Sequence, residues 1–82
     1  MDSKLLLDGE KLKQLRQIQG LSQEGLVYAC ELRRLTVSIA TVKRAEAGKR
    51  VSLRTARNLA AFFDIDISEV TLVEDDEKNQ SQ

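Results

Sequence analysis

The stretch Ser38-Ile39-Ala40-Thr41-Val42-Lys43-Arg44-Ala45-Glu46-Ala47-Gly48-Lys49-Arg50 decides how this chain is read. Serine is a preferred helix N-cap, because its hydroxyl accepts a hydrogen bond from an otherwise orphaned amide of the first turn. Gly48 is a fitting stop, since glycine enters the left-handed conformation without a side-chain clash. The spacing therefore predicts a helix opened by Ser38 and running through Ala47. That helix carries two adjacent cations, Lys43 and Arg44, and two more, Lys49 and Arg50, follow its end.

The same punctuation recurs on both sides. Upstream, Leu12, Leu15 and Ile18 form one apolar stripe of a helix from about Gly9 to Gln19, with Gly20 as its stop. Ser22 caps a second helix, Glu24 places negative charge at its positive end, and Leu26, Val27 and Cys30 point inward. This helix extends to about Arg33 or Arg34, with a break around Leu35-Thr36-Val37. Downstream, Ser52 caps a fourth helix with an apolar ladder at Leu53, Ala56, Leu59, Ala60 and Phe63, and Asp64 stands at the turn. Asp66 and Glu69 have capping-box spacing for a short fifth helix. With no proline, no repeat and no useful β alternation, the chain reads as an all-α, five-helix domain. Residues 1–8 are set apart as an N-terminal extension, residues 9–73 form the domain, and residues 74–82 are read as a disordered acidic and polar tail.

Composition narrows the function classes. Eighty-two residues allow one domain near the lower limit for an unstapled core, and 41% hydrophobic with 32% charged residues is globular composition. The single cysteine, Cys30, cannot form an internal disulfide, which points to a reducing cytoplasm. With one cysteine and no histidine, a structural zinc site lacks ligands, and Ser-His or Cys-His catalysis is impossible. The cluster Glu74, Asp75, Asp76, Glu77 lies where nothing would hold a metal site's geometry. Neither a membrane-length apolar run nor a signal-peptide pattern is present. No enzyme, cofactor, metal or small-molecule site is expected.

The formal net charge of zero conceals a segregation. Residues 10–63 hold eleven Lys or Arg against four acids, a balance of +7, whereas residues 64–82 hold one Lys against seven acids, a balance of −6. A basic body with an acidic tail suits a negatively charged partner, although charge alone is equally compatible with a solvated, mixed surface.

Two strings carry a resemblance: Leu21-Ser22-Gln23-Glu24 opening the second helix, and Ser38 through Arg50 over the third. In this order, with fourth and fifth helices after them, they resemble the lambda-repressor-like (Cro/XRE-type) helix-turn-helix family over roughly residues 9–73. The resemblance implies a regulator of transcription that binds double-stranded DNA, its third helix in the major groove. Base-edge contacts would then come from Ser38, Ile39, Ala40, Lys43 and Arg44. Arginine suits a bidentate contact to guanine; Lys43 would do likewise or meet a phosphate. Phosphate contacts would come from Gln23, Lys49, Arg50 and Arg54, and from Thr41 unless its hydroxyl turns back to its own helix. Lys49 and Arg50 have a plainer reading as solvated charges beside a helix stop. The family's pairing of a first-helix arginine with the glutamate ending the third would fall on Arg16 and Glu46, as a structural ion pair. A homodimer reading two half-sites is the family's habit, although nothing in this sequence marks a dimerisation element.

The match departs in two places. Leu26 and Ser38 stand twelve apart, farther than the family's pattern, with the excess within Cys30–Thr36 and no glycine there. A longer second helix follows, with Arg33 and Arg34 either clamping a phosphate or capping the helix end. Val27 also stands where the family prefers alanine and Ala45 where it has a larger apolar residue, an exchange that conserves volume. The alternative function is a protein-interaction module on the same scaffold, an antitoxin or adaptor. Its candidate surface is Phe62, Ile65, Ile67, Val70, Leu72 and Val73, although core burial explains most of these equally well.

Overall fold

Three of the four helices begin where a serine hydroxyl meets the third amide beyond it. The computed structural model describes residues 4–72. Its first helix, α1 (Gly9–Ile18), is capped by Asp8, whose carboxylate accepts from Lys11 N at 3.1 Å. Ser22 caps α2 (Gln23–Leu32) through Gly25 N at 2.9 Å, and Ser38 caps α3 (Ile39–Glu46) through Thr41 N at 3.1 Å. Ser52 caps α4 (Leu53–Phe63) through Thr55 N at 3.2 Å.

The described architecture is mainly helical, with four helices and a small two-stranded ladder, which corrects the five-helix, all-α expectation. Strand β1 (Lys4–Leu5) pairs antiparallel with β2 (Val51–Ser52), Lys4 opposite Ser52 and Leu5 opposite Val51. Two-residue strands are too short to show any alternation, so no period betrays them. The expected fifth helix is a single 3₁₀ turn, Ile67–Glu69. Its capping box is present, but Leu7 bridges Thr71 and Leu72 N donates to Leu6 O at 2.8 Å. Those backbone bonds require an extended chain where further helix would have to grow.

Residues 4–8, ahead of α1, are part of the body. Leu7 is fully buried, and Leu5 packs against the core. Around them gather Leu12 from α1, Leu26 and Cys30 from α2, Val42 and Ala45 from α3, and Ala56, Leu59 and Phe63 from α4. Phe62 and Phe63 meet edge to face at 5.1 Å. The acidic stretch from Glu74 onward, read as a tail, lies outside the described residues.

The longer connection between α2 and α3 is closed by backbone geometry. Leu35 N donates to Cys30 O at 2.8 Å and Arg34 N to Glu31 O at 2.9 Å, which turns the chain out of the helix. Arg34 takes φ +61°, a left-handed value usually given to glycine. The link is then tied to α4. Arg33 lies 4.9 Å over the Phe62 ring and donates to Phe62 O at 2.9 Å, while Asn58 Nδ2 donates to Thr36 O at 3.0 Å. Helix α2 therefore ends at Leu32, with Arg33 as its cap.

Candidate nucleic-acid interface

Helix α3 divides into two faces because its residues recur about every 3.6 positions. Val42 and Ala45 are buried, and Ile39 is half-buried. Ala40, Lys43, Arg44 and Ala47 are exposed, as is the cap Ser38. The backbone turns at Gly48, whose φ of +79° would strain any other residue, and Lys49 and Arg50 follow in the open.

The inner end of α3 is held by a polar cluster. Arg16 Nε donates to Glu46 Oε2 at 2.6 Å, Arg16 Nη2 to Glu46 Oε1 at 2.9 Å, and Arg16 Nη1 to Leu21 O at 2.8 Å. This two-pronged contact leaves the Arg16 and Glu46 side chains only 10% and 7% exposed. Gln23 Nε2 adds a third donor to Glu46 Oε1 at 3.1 Å. Burial acts most strongly on the Glu46 carboxyl and pushes its pKa up. Hydrogen bonds from Arg16 and Gln23, with the charges of Arg16 and Lys13, outweigh it and hold the carboxyl below the ordinary value. Hydrogen bonding to Glu46 raises Arg16 further above its already high value, against the opposing pull of burial. The pair is therefore ionised at neutral pH and serves the fold.

Backbone contact brings α1 and α3 closer still. A Cβ at Gly9 would collide with the Glu46 carbonyl oxygen and stand 2.8 Å from that of Ala45. Only glycine fits this approach.

The expected base-edge residues Ser38, Ile39, Ala40, Lys43 and Arg44 lie on one short helix and its cap. Arg44 Nη2 donates to Arg50 O at 3.0 Å, which ties the outer face to the following turn. Thr41 turns back: its hydroxyl lies 2.7 Å from Ser38 Oγ, inside the helix's own cap. Gln23 is engaged with Glu46 through its amide nitrogen. Arg54 is exposed on the first turn of α4. Two open hollows flank this face. One is lined by Lys43, Arg44, Ala47 and Lys49, three cations and no acid; the other by Lys13, Arg16, Gln23, Lys43, Glu46 and Ala47.

Sequence reasoning missed Lys13 on this side and the Arg33 stack on Phe62. Helical spacing alone assigns Lys13 to a solvated face, and no local signal pairs Arg33 with an aromatic 29 residues away. The apolar segment offered as a contact surface is largely core. Phe62 and Val70 are buried, Ile65 and Ile67 pack against the core, and Leu72 alone among the described members is exposed; Val73 lies outside the described residues. Among the described residues, the large apolar side chains most open to solvent lie elsewhere, Ile18 on α1 and Tyr28 and Leu32 on α2.

No helix among the described residues is long and apolar enough to cross a membrane, and no cluster of metal-binding side chains occurs among them. Buried Cys30 has its thiol pKa pushed up by desolvation, against a smaller opposing effect of Arg33, so it is a poor nucleophile. Comparison with family models, with curated proteins and with solved structures finds no match to this chain.

Proposed function

We propose that this chain is a double-stranded DNA-binding regulator of transcription, or the DNA-reading part of one, with α3 as the helix that enters the major groove. One observation carries the reading. The solvent face of α3 presents Lys43 and Arg44 with Lys49 behind them, on a helix braced from within by Arg16–Glu46 and the close approach of Gly9. A rigid helix with cations outward supplies both requirements of duplex recognition, a fixed register and positive charge. Arg44 carries the planar fork that suits a guanine edge, and Ala40 and Ile39 offer apolar contact to a thymine methyl. Lys49 and Arg50 meet phosphates. Two copies would read two half-sites one helical turn apart.

The test is fluorescence anisotropy on mixed-sequence duplex DNA at several salt concentrations. Roughly four phosphate contacts should cost about a hundredfold in affinity between about 50 and 200 mM salt. Absent or salt-insensitive binding would turn the reading toward a protein-interaction module. The observation favouring that module is the pair Tyr28 and Leu32, one turn apart on α2 and 63% and 68% exposed.

A further inference from the structure

The hollow between α1, α2 and α3 sets a cation of α1, which the base-reading role of α3 does not use, beside one of α3. Lys13 comes from α1, Gln23 from the first turn of α2, and Lys43 from α3. Beneath them lie Arg16 and Glu46, which neutralise each other through two hydrogen bonds. Lys13 and Lys43 add net positive charge above this pair, Lys13 acting on Glu46 only through its field. Both side chains are exposed, and neither makes a hydrogen bond or ion pair among the described residues. Lys11, two residues from Lys13, is spent differently, 4.0 Å from Glu69 on another side of α1.

The geometry points to a seat for one DNA backbone phosphate, held jointly by Lys13 and Lys43 over the Arg16–Glu46–Gln23 cluster. This inference rests on the DNA-binding reading above and sharpens it. Lys43 becomes a phosphate ligand rather than a base reader, and base discrimination is left to Arg44 and the small residues near the start of α3. Two lysines suit this task because an ammonium is a compact point charge on a flexible stem, able to follow a phosphate without demanding a planar partner. The ion pair below serves as a neutral floor: without Arg16, the Glu46 carboxylate would repel the ligand. Seated there, a phosphate would connect α1 to the duplex and fix how steeply α3 enters the groove.

The experiment compares the full chain with Lys13→Ala, Lys43→Ala and, as a control on the same helix as Lys13, Lys11→Ala. Thermal melts confirm that all four proteins are folded, which the exposure of these side chains favours. Anisotropy is then measured on mixed-sequence duplexes across a salt series, and the base preferences of the unmodified chain and Lys43→Ala are compared by selection from a random duplex library. Lys13→Ala and Lys43→Ala should each weaken binding several-fold on every sequence and reduce the log–log salt slope by about one. Lys11→Ala should leave the slope unchanged, and Lys43→Ala should leave the selected sequence unchanged. If the unmodified chain binds with a steep salt slope and Lys13→Ala keeps that slope, the phosphate seat is wrong while the DNA reading stands. A changed base preference in Lys43→Ala would return that lysine to the base edges and likewise overturn the seat. If the unmodified chain does not bind duplex DNA at all, both readings fall together.

Discussion

On its inner side α3 meets α1 through Glu46, which Arg16 grips with two hydrogen bonds, and through backbone so close that Gly9 can carry no side chain. On its outer side Lys43 has no partner among the described residues and Arg44 has one bond to a backbone carbonyl of the next turn. The sequence places cations on both sides, yet their physics differs. A guanidinium almost removed from water must be matched at once, because an unmatched buried charge costs several kcal/mol. An exposed lysine is already solvated and contributes little to folding, so its charge remains available to a ligand. Partnership, not charge, separates the residues that build this domain from those whose charge the fold leaves in solvent.

The largest effect should come from breaking the inner contact. Arg16→Ala leaves Glu46 buried without its main donor and should destabilise the fold by about 3–5 kcal/mol, read by denaturant titration. A loss below about 1 kcal/mol would place Arg16 with the surface cations and erase the contrast. The same contact predicts a pH effect. The folded-state pKa of Glu46 lies below its unfolded value, so the unfolded chain takes up the proton more readily. Its stabilisation is complete above the ordinary glutamate value of about 4.3 and is lost as pH falls through the folded value. Thermal midpoints followed downward from about pH 6 should fall more steeply for the unmodified chain than for Glu46→Gln. Parallel curves would mean that the pair does not titrate with folding.

Gly9→Ala is the next largest. Its added carbon would meet carbonyl oxygens of Glu46 and Ala45, which are backbone atoms and cannot swing aside. Elsewhere in a first helical turn, glycine to alanine favours the helix. Here overpacking should reverse the sign, with a loss of about 1–3 kcal/mol in the same titration. A gain in stability would show that α1 can slide away from α3.

How much of this was legible follows the same division between local and distant causes. The serine caps at Ser22, Ser38 and Ser52 and the capping box at Asp66 announce themselves within a few residues, because capping is a local bond. Arg16 and Glu46, 30 residues apart, are brought together on paper only by the family resemblance; nothing in their spacing pairs them. The β1–β2 ladder, the burial of Leu7 and the close approach at Gly9 leave no local trace, since each depends on where another segment lies. The fifth helix stops at one 3₁₀ turn for a related reason: its cap is local, but the competing bonds from Leu6 and Leu7 are not. On the outer face, residue types name the cations, but Lys13 joins Lys43 only once α1 and α3 are packed.

The outer face should respond in binding and hardly at all in stability. Arg44→Ala should leave the folding free energy within about 0.5 kcal/mol, while removing about 1–3 kcal/mol of preference at one base pair. Lys49→Ala should weaken all duplexes alike. Uniform effects from both variants would mean that Arg44 holds a phosphate, and a large loss of stability from either would put outer-face charge into the fold.

The smallest expected effect lies at Arg34, where the comparison is hardest to apply because the residue stands between both kinds. Its backbone is held in the left-handed conformation by the turn that ends α2, at a steric cost that glycine avoids. Its side chain is exposed. Arg34→Gly removes the strain and the charge together, and the two consequences appear in different measurements. Relief of strain should raise stability by about 0.5–1 kcal/mol, less what is lost to the greater freedom of an unfolded glycine. If the side chain only completes the helix end, duplex affinity and its salt slope stay as they were. If the side chain clamps a phosphate, the slope becomes shallower by about one even as the melting temperature rises. Opposite movements in the two readouts would place Arg34 among the ligand-facing cations despite its structural backbone, and the line between the two groups would then run through a single residue.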